Sequence, residues 1–170
     1  MGNRRRQRGS AIVEFTLAGI ASIFLIMCTI QLSIGMWNYH TLAYAVHEAT
    51  RYTAVKGVNC TKGGNTCSVT VGTIAHKVHE LAVGVPEDRV IVTLKTDSGA
   101  ETVCNPLNSC YSNATVWPPA SNHDNGVGKQ FTISAKYQYR SLMLIFWPGA
   151  GSQRIAAVWL PATSTQTILF

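Results

Sequence analysis

An uncharged, strongly apolar run from Phe15 to Trp37 most constrains what this chain can fold into. As a helix, its 23 residues would be about 34 Å long, which is enough to cross the hydrocarbon core of a bilayer. The 170 residues of the chain leave room beside this segment for one modest domain. The sequence therefore predicts a single-pass membrane protein with one small domain outside the bilayer.

The basic residues are concentrated before this run. Of the formal net charge of +6, four units come from Arg4, Arg5, Arg6 and Arg8. Arginine clusters can mark nuclear-localisation or nucleic-acid-binding segments. Here the cluster precedes a run of membrane length, so the positive-inside bias predicts a cytoplasmic N-terminus and a domain outside the cytoplasm. We therefore expect membrane lipid, and no nucleic acid, as a partner.

The helical pattern continues past the apolar run to about Lys56, where Gly57 supplies a stop. The side chains of one stripe recur at three- and four-residue steps: Tyr39, Leu42, Ala43, Val46, Thr50 and Thr53. We expect one helix from about Ala11 to Lys56, with an apolar membrane half and an amphipathic stalk half. The alternative is a secretory signal cleaved after Ala45. However, the run exceeds the ~7–15 residues of a signal core, and no proline or glycine breaks the helix there.

A single carboxylate, Glu14, lies at the N-terminal edge of the apolar helix, directly before Phe15. Moving an ionised side chain towards the bilayer centre costs about 2.5 kcal/mol or more, so an acidic residue here is a functional candidate. In one interpretation, Glu14 only extends to the headgroups and water. The spacing supports another interpretation. If the chain were cut between Gly9 and Ser10, Glu14 would be the fifth residue of the mature protein.

The segment from Arg8 to Phe15, with the basic leader before it and the apolar helix after it, resembles a type IV prepilin processing site. The resemblance is carried by Gly9 before the cut, by Glu14 five residues after it, and by the following Phe15. Within that superfamily, about the first 55 residues resemble a TadE-like minor pilin or pseudopilin of the tight-adherence (Tad, Flp) pilus system. A weaker similarity extends over residues 135–160.

This resemblance implies cleavage between Gly9 and Ser10 by a prepilin peptidase. It also implies that Glu14, with Phe15 beside it, takes part in assembly by pairing with the free amino terminus of a neighbouring subunit. The implied location is the bacterial inner membrane, with a periplasmic or extracellular head that can enter the pilus. The implied partners are other pilins and pseudopilins and the inner-membrane assembly platform. In an apolar bundle, amine and carboxylate tolerate burial only when they are in register.

The cysteines comprise Cys28 inside the apolar run and an even set beyond it: Cys60, Cys67, Cys104 and Cys110. Such a set outside the cytoplasm predicts disulfides, for which three connectivities are possible. The connectivity between nearest neighbours in sequence would close two short loops, each worth about 2–3 kcal/mol. A zinc site that includes His76 and His79 is the alternative, but the cysteine spacing is wider than in structural zinc sites. The histidines fit the polar face of a short helix, and we expect no metal.

The rest of the chain predicts a small α+β head. A short helix is expected from about Thr73 to Val83, with Thr73 as its N-cap. Alternating apolar side chains predict strands near 89–95 and 131–139, and a third strand near 154–160. A long connection at 96–128 separates the first two strands. The predicted fold is α+β and pilin-like, with the long helix packed on a small antiparallel sheet and a second short helix.

These predictions divide the chain into a basic leader (1–9), a transmembrane and stalk helix (10–56) and a disulfide-bonded head (57–170). The sequence contains no nucleophile elbow, phosphate-binding loop or paired-carboxylate pattern, so we expect no enzyme activity, no catalytic residues and no cofactor. The leading hypothesis is a minor pilin used in pilus assembly and adhesion. The alternative is a membrane-tethered binding or sensor domain that never polymerises. The two hypotheses predict different mature N-termini, Ser10 for the pilin and Met1 for the sensor.

Overall fold

The computed structural model describes residues 4–57, 69–141 and 157–169. It contains two helices, α1 (Arg4–Ala54) and α2 (Val71–Leu81), and four strands: β1 (Val90–Thr96), β2 (Glu101–Cys104), β3 (Gln130–Arg140) and β4 (Ala157–Thr167). The chain divides into two compact units. The first contains α1 up to Gly35, and the second, called the head here, contains α1 from Met36 onward with α2 and the sheet. The predicted α+β class is confirmed.

α1 is a continuous helix of 51 residues. Its sequence contains no proline and is rich in alanine and long apolar side chains, which favour a helix. The helix includes residues of the predicted leader and ends at Ala54, two residues before the predicted Lys56. The last turn is closed by the Lys56 N–H, which donates to the Thr53 carbonyl at 3.0 Å. Differences of this size are usual at helix ends.

The stalk half of α1 supplies one face of the head's core. The fully buried side chains of this face are Leu42, Ala45, Val46, Ala49, Thr50 and Thr53. The two threonine hydroxyls are satisfied inside the helix, since Thr50 donates to the Val46 carbonyl at 2.6 Å and Thr53 to the Ala49 carbonyl at 2.9 Å. The predicted stripe is thus confirmed at four positions, whereas Tyr39 is exposed and Ala43 is only partly covered.

The four strands form an antiparallel sheet in the order β2-β1-β3-β4. Alternate side chains of the two central strands face the core: Val90, Val92 and Leu94 of β1, and Phe131, Ile133, Ala135 and Tyr137 of β3. Their neighbours on the outer face are mostly polar. The strands predicted near 89–95 and 131–139 are confirmed, because period-two alternation marks a strand with one covered face.

Two strands differ from the sequence expectation. β2 lies within 96–128, which was predicted to be a connection; a tight turn with Gly99 at φ 93° leads into this short strand. β4 extends to Thr167, well beyond the predicted end near residue 160, and continues across Pro161. In the described sheet β4 lies at the edge, where a proline is tolerated because no second strand needs its missing N–H.

α2 begins at Val71, two residues before the predicted start, and its N-cap is Thr70, so the prediction of Thr73 as N-cap is wrong. The Thr70 hydroxyl caps the helix by accepting a hydrogen bond from the Thr73 N–H at 3.1 Å. The first turn of the helix packs closely on the backbone near Tyr111, since a Cβ at Gly72 would lie 2.6 Å from the Tyr111 carbonyl oxygen. The predicted apolar face of this helix is confirmed at Ile74 and Val78, which are buried.

Cys104 and Cys110 form a buried disulfide with an S–S distance of 2.03 Å. It joins the end of β2 to a 3-10 turn at Leu107–Cys110. Cys60 and Cys67 lie outside the described residues, so their predicted pairing stays a prediction. Within the described ranges, no group of three or more His, Cys, Asp or Glu side chains is placed to hold a metal ion.

Candidate assembly site on the N-terminal helix

The predicted processing and assembly residues lie on consecutive turns of α1. Gly9 and Ser10 belong to its helical backbone, and Glu14 and Phe15 follow one turn later. Both later side chains are exposed, Phe15 to 79%. These four positions therefore form one local segment of a single helix, and their role in processing and assembly stays a prediction.

The segment after Glu14 is apolar in every direction around the helix. Its large exposed side chains include Leu17, Ile20, Ile23, Phe24, Leu25, Ile26, Leu32 and Ile34. α1 is long and apolar enough to span a membrane. A helix that is apolar on all sides needs lipid or other helices around it. This surface is thus suited to a bilayer and to neighbouring membrane helices.

The hydroxyl groups of this segment are satisfied within the helix. Each donates to the carbonyl of the residue four positions before it, at 2.8–2.9 Å: Thr16, Ser22, Thr29 and Ser33. Water is absent from the hydrocarbon core, so a hydroxyl without a partner there would be costly. These internal hydrogen bonds remove that cost, and the hydroxyls therefore fit a membrane span.

Five small side chains between Ala11 and Ser33 share one face. With about 100° of rotation per residue, five positions fall within an arc of about 60°: Ala11, Ala18, Ser22, Thr29 and Ser33. We call them the small-residue face. Glu14 lies beside it, about 60° around the helix from Ala11. Small side chains allow membrane helices to approach closely, so this face suits helix packing next to the carboxylate.

A cluster of polar and aromatic side chains lies in the head, where it connects the 3-10 turn after β2 with α2. The Tyr111 ring stacks on the His76 imidazole with ring centroids 4.1 Å apart. The Tyr111 hydroxyl donates to the Glu87 carboxylate, and His79 Nδ1 lies 3.4 Å from the same carboxylate. Burial, together with the hydrogen bond to Glu87 and its negative charge, raises the pKa of the Tyr111 hydroxyl.

Sequence reasoning placed the two histidines on the polar face of α2 but missed Tyr111 and Glu87 as their partners. Both partners lie outside α2, at positions where no local pattern singles them out. The only sequence signal was the spacing of His76 and His79, which places both rings on one side of the helix. In the structure these groups contact one another, and the cluster stabilises the packing of the head.

Residues 9–51 match a family model described as TadE-like protein. The matched region begins at Gly9, includes Glu14 and Phe15, and ends in the stalk half of α1, before α2 and the sheet. This match confirms the resemblance predicted from the sequence motif. No curated protein and no solved structure matches the chain.

Proposed function

We propose that this protein is a minor pilin or pseudopilin of the Tad (tight adherence, Flp) pilus system, anchored in the inner membrane by the apolar half of α1. A prepilin peptidase cleaves it between Gly9 and Ser10, and the mature protein then takes part in assembling a pilus for adhesion. The observation that carries the proposal is the TadE-like match over residues 9–51. In this role the chain is a structural subunit, and the catalytic step belongs to the peptidase.

The position of Glu14 fits this role. After cleavage it would lie in the first turns of a shortened helix, where unpaired backbone N–H groups favour a nearby carboxylate. In an assembly, the amino group of a neighbouring subunit's Ser10 would give the carboxylate a charged partner inside the apolar bundle. Such a pair sets the register between subunits, because either charge alone would be buried at a high cost.

The small-residue face supports association within the membrane. Between apolar helices in lipid, the hydrophobic effect provides little driving force, and close packing of small side chains replaces it. The face runs from Ala11 to Ser33 and lies beside Glu14, so a partner helix on it would pass the carboxylate. The partners in the proposal are other pilins and pseudopilins and the assembly platform.

The head fits a compartment outside the cytoplasm. Disulfides persist in oxidising compartments, and the head contains the Cys104–Cys110 disulfide. Arginines on the N-terminal side of the apolar run favour a cytoplasmic N-terminus, which would place the head on the opposite side of the membrane. Both features agree with an anchored subunit whose head is periplasmic or extracellular.

Release of the head by cleavage after Ala45 is disfavoured by its packing. Leu42 and Ala45 are fully buried in the core of the head, and α1 is helical through this region. Cleavage there would remove both side chains from the core. Losing a buried leucine side chain alone typically costs about 2–5 kcal/mol. The stalk half of α1 is thus part of the head's fold.

The mature N-terminus tests the proposal. In cells that contain the peptidase, intact-mass measurement of the membrane fraction should give a chain that starts at Ser10. Gly9→Leu should remain inserted but uncut, since the bulky side chain replaces the small residue before the cut. The matched control is Gly19→Leu, where an added Cβ meets nothing within 4 Å and normal processing is expected.

Two outcomes would contradict the pilin proposal. A wild-type chain that starts at Met1 would favour the tethered binding or sensor domain. Normal cleavage of Gly9→Leu would show that this glycine does not define a prepilin site.

A further inference from the structure

One end of the head, called the neck end here, is defined by the point where α1 joins it at Met36. The opposite end is marked by Ala54, whose carbonyl accepts a hydrogen bond from the Leu169 N–H at 2.9 Å, just after β4. The 11-residue strand β4 is about 36 Å long, so its start lies far from the Ala54 end. β3 and β4 pair from Gln130 with Thr167 to Arg140 with Ala157, so the end of β3 lies beside the start of β4.

A second set of contacts places the start of β4 at the neck end. A Cβ at Gly84, just after α2, would lie 3.9 Å from Trp37 Nε1. The chain enters β1 six residues later at Val90, which pairs with Tyr137 of β3, and Tyr137 pairs with Leu160 of β4. The loop after α2 and the first residues of β1 and β4 are therefore on the same side of the head as Trp37.

Large apolar side chains are exposed around this end. They come from α1, the loop after α2 and β4: Trp37 (62% exposed), Val83 (64%), Val158 (55%) and Trp159 (47%). We call these four residues the neck rim. Single exposed apolar side chains are ordinary, but this group contains two of the three tryptophans that the structure describes, and the third, Trp117, is buried. A rim of this kind indicates a surface that something covers.

We propose that the neck rim lies in the membrane–water interface and contacts the lipid of the bilayer that holds α1. The uncharged run ends at Trp37, which is only the second residue of α1 within the head, so no spacer separates the bilayer from the neck end. The run would be about 34 Å long, close to the ~30 Å thickness of the hydrocarbon core. Tryptophan is enriched at this depth because its ring is apolar and its N–H is polar.

The charges near the rim indicate which lipid chemistry matters. Arg140 and Lys136 are exposed on β3, but acidic side chains also lie near this end. Asp88 is 3.7 Å from Arg89, and Glu87 interacts with Tyr111 and His79. Because the charges are mixed, contact rests on the apolar and aromatic side chains. The head should therefore lie against neutral phosphatidylcholine as well as against anionic lipid.

The proposal depends on the membrane anchor and not on processing or pilus assembly, so purified full-length protein can test it. A spin label is attached at Val158→Cys, in a background in which Cys28, Cys60 and Cys67 are replaced by serine, in phosphatidylcholine nanodiscs. The matched control is a label at Val127→Cys, an equally exposed valine (54%). Val127 lies at the other end of the strands, next to Gly128, whose N–H donates to the Ile168 carbonyl.

The label at Val158 should be protected from a water-soluble nickel relaxant and accessible to oxygen, whereas the label at Val127 should be accessible to the nickel reagent. Equal nickel accessibility at the two positions would overturn the proposal. Protection at Val158 that disappears in discs holding a single copy would overturn it too, since a second copy and not lipid would then cover the rim. A near-ultraviolet circular dichroism spectrum identical to that of the unlabelled protein confirms that each variant is folded.

Discussion

The two halves of α1 differ in what covers them. From Met36 to Ala54, small side chains such as Ala45 and Ala49 face a core that the helix shares with α2 and the sheet. From Ala11 to Gly35 it keeps large apolar side chains exposed around most of its circumference, beside the small-residue face. The stalk half, from Met36 to Ala54, has the pattern of a helix that completes its own domain. The apolar half, from Ala11 to Gly35, has the pattern of a helix that lipid and other helices must cover.

The two halves should differ most in their effect on the head's free energy of unfolding when one leucine in each half is truncated. Leu42→Ala removes a fully buried side chain and should lower the free energy of unfolding of the head by about 2–5 kcal/mol. Leu32→Ala truncates an exposed side chain in the apolar half and should leave the head's stability unchanged. Denaturant unfolding in detergent, followed by near-ultraviolet circular dichroism, measures both variants. Equal losses would show that the two halves do not differ as described.

Replacing cysteines tests the same comparison between the head and the apolar half of α1, with a smaller expected loss of stability. Replacing Cys104 and Cys110 together by serine opens a loop with a sequence separation of 6 and should cost about 2 kcal/mol of head stability. Cys28→Ser, in the apolar half, should cost the head nothing. In unfolded but unreduced protein, an alkylating reagent should label Cys28 and leave Cys104 and Cys110 unlabelled. Labelling of all three would contradict the disulfide.

The sequence predicted the elements whose pattern is local. The long helix, α2, β1 and β3 follow from periodicity, and Gly9, Ser10, Glu14 and Phe15 form a motif within one short segment. What it missed depends on contacts distant in sequence. The extent of β4 is set by pairing with β3, and β2 is too short for its alternation to stand out. The sequence predicted Thr73 and not Thr70 as the N-cap because both residues can cap, and only the structure shows that the Thr70 hydroxyl accepts from the Thr73 N–H.

The effect of pH should be smaller and confined to the head. The raised pKa of Tyr111 means that the folded head holds this proton more tightly than the unfolded chain does. The associated stability is fully present below the ordinary tyrosine pKa of 10.0 and is lost as the pH rises above it. Tyr111→Phe should be less stable by about 1 kcal/mol near pH 7, because the hydrogen bond to Glu87 is gone.

Denaturant unfolding between pH 7 and pH 11 measures this effect. The difference between wild type and Tyr111→Phe should shrink above pH 10.0, the ordinary tyrosine value. The pKa values of Tyr137 and Tyr139 are also raised by burial, so part of the alkaline loss should remain in the variant. A difference that stays constant over the whole range would show that the Tyr111 proton is not linked to folding.

The most direct test of the claim that the apolar half of α1 serves assembly is Glu14→Gln, with Glu48→Gln in the stalk half as its matched control. Both variants should be processed and inserted normally. In cells without the wild-type copy, Glu14→Gln should lose crosslinks to pilin partners and pilus production, because the amide keeps the shape but cannot form an ion pair with a neighbour's amino terminus. Glu48→Gln should retain both. Normal crosslinks and normal piliation of Glu14→Gln would contradict the account and leave Glu14 as a side chain that only extends to the headgroups.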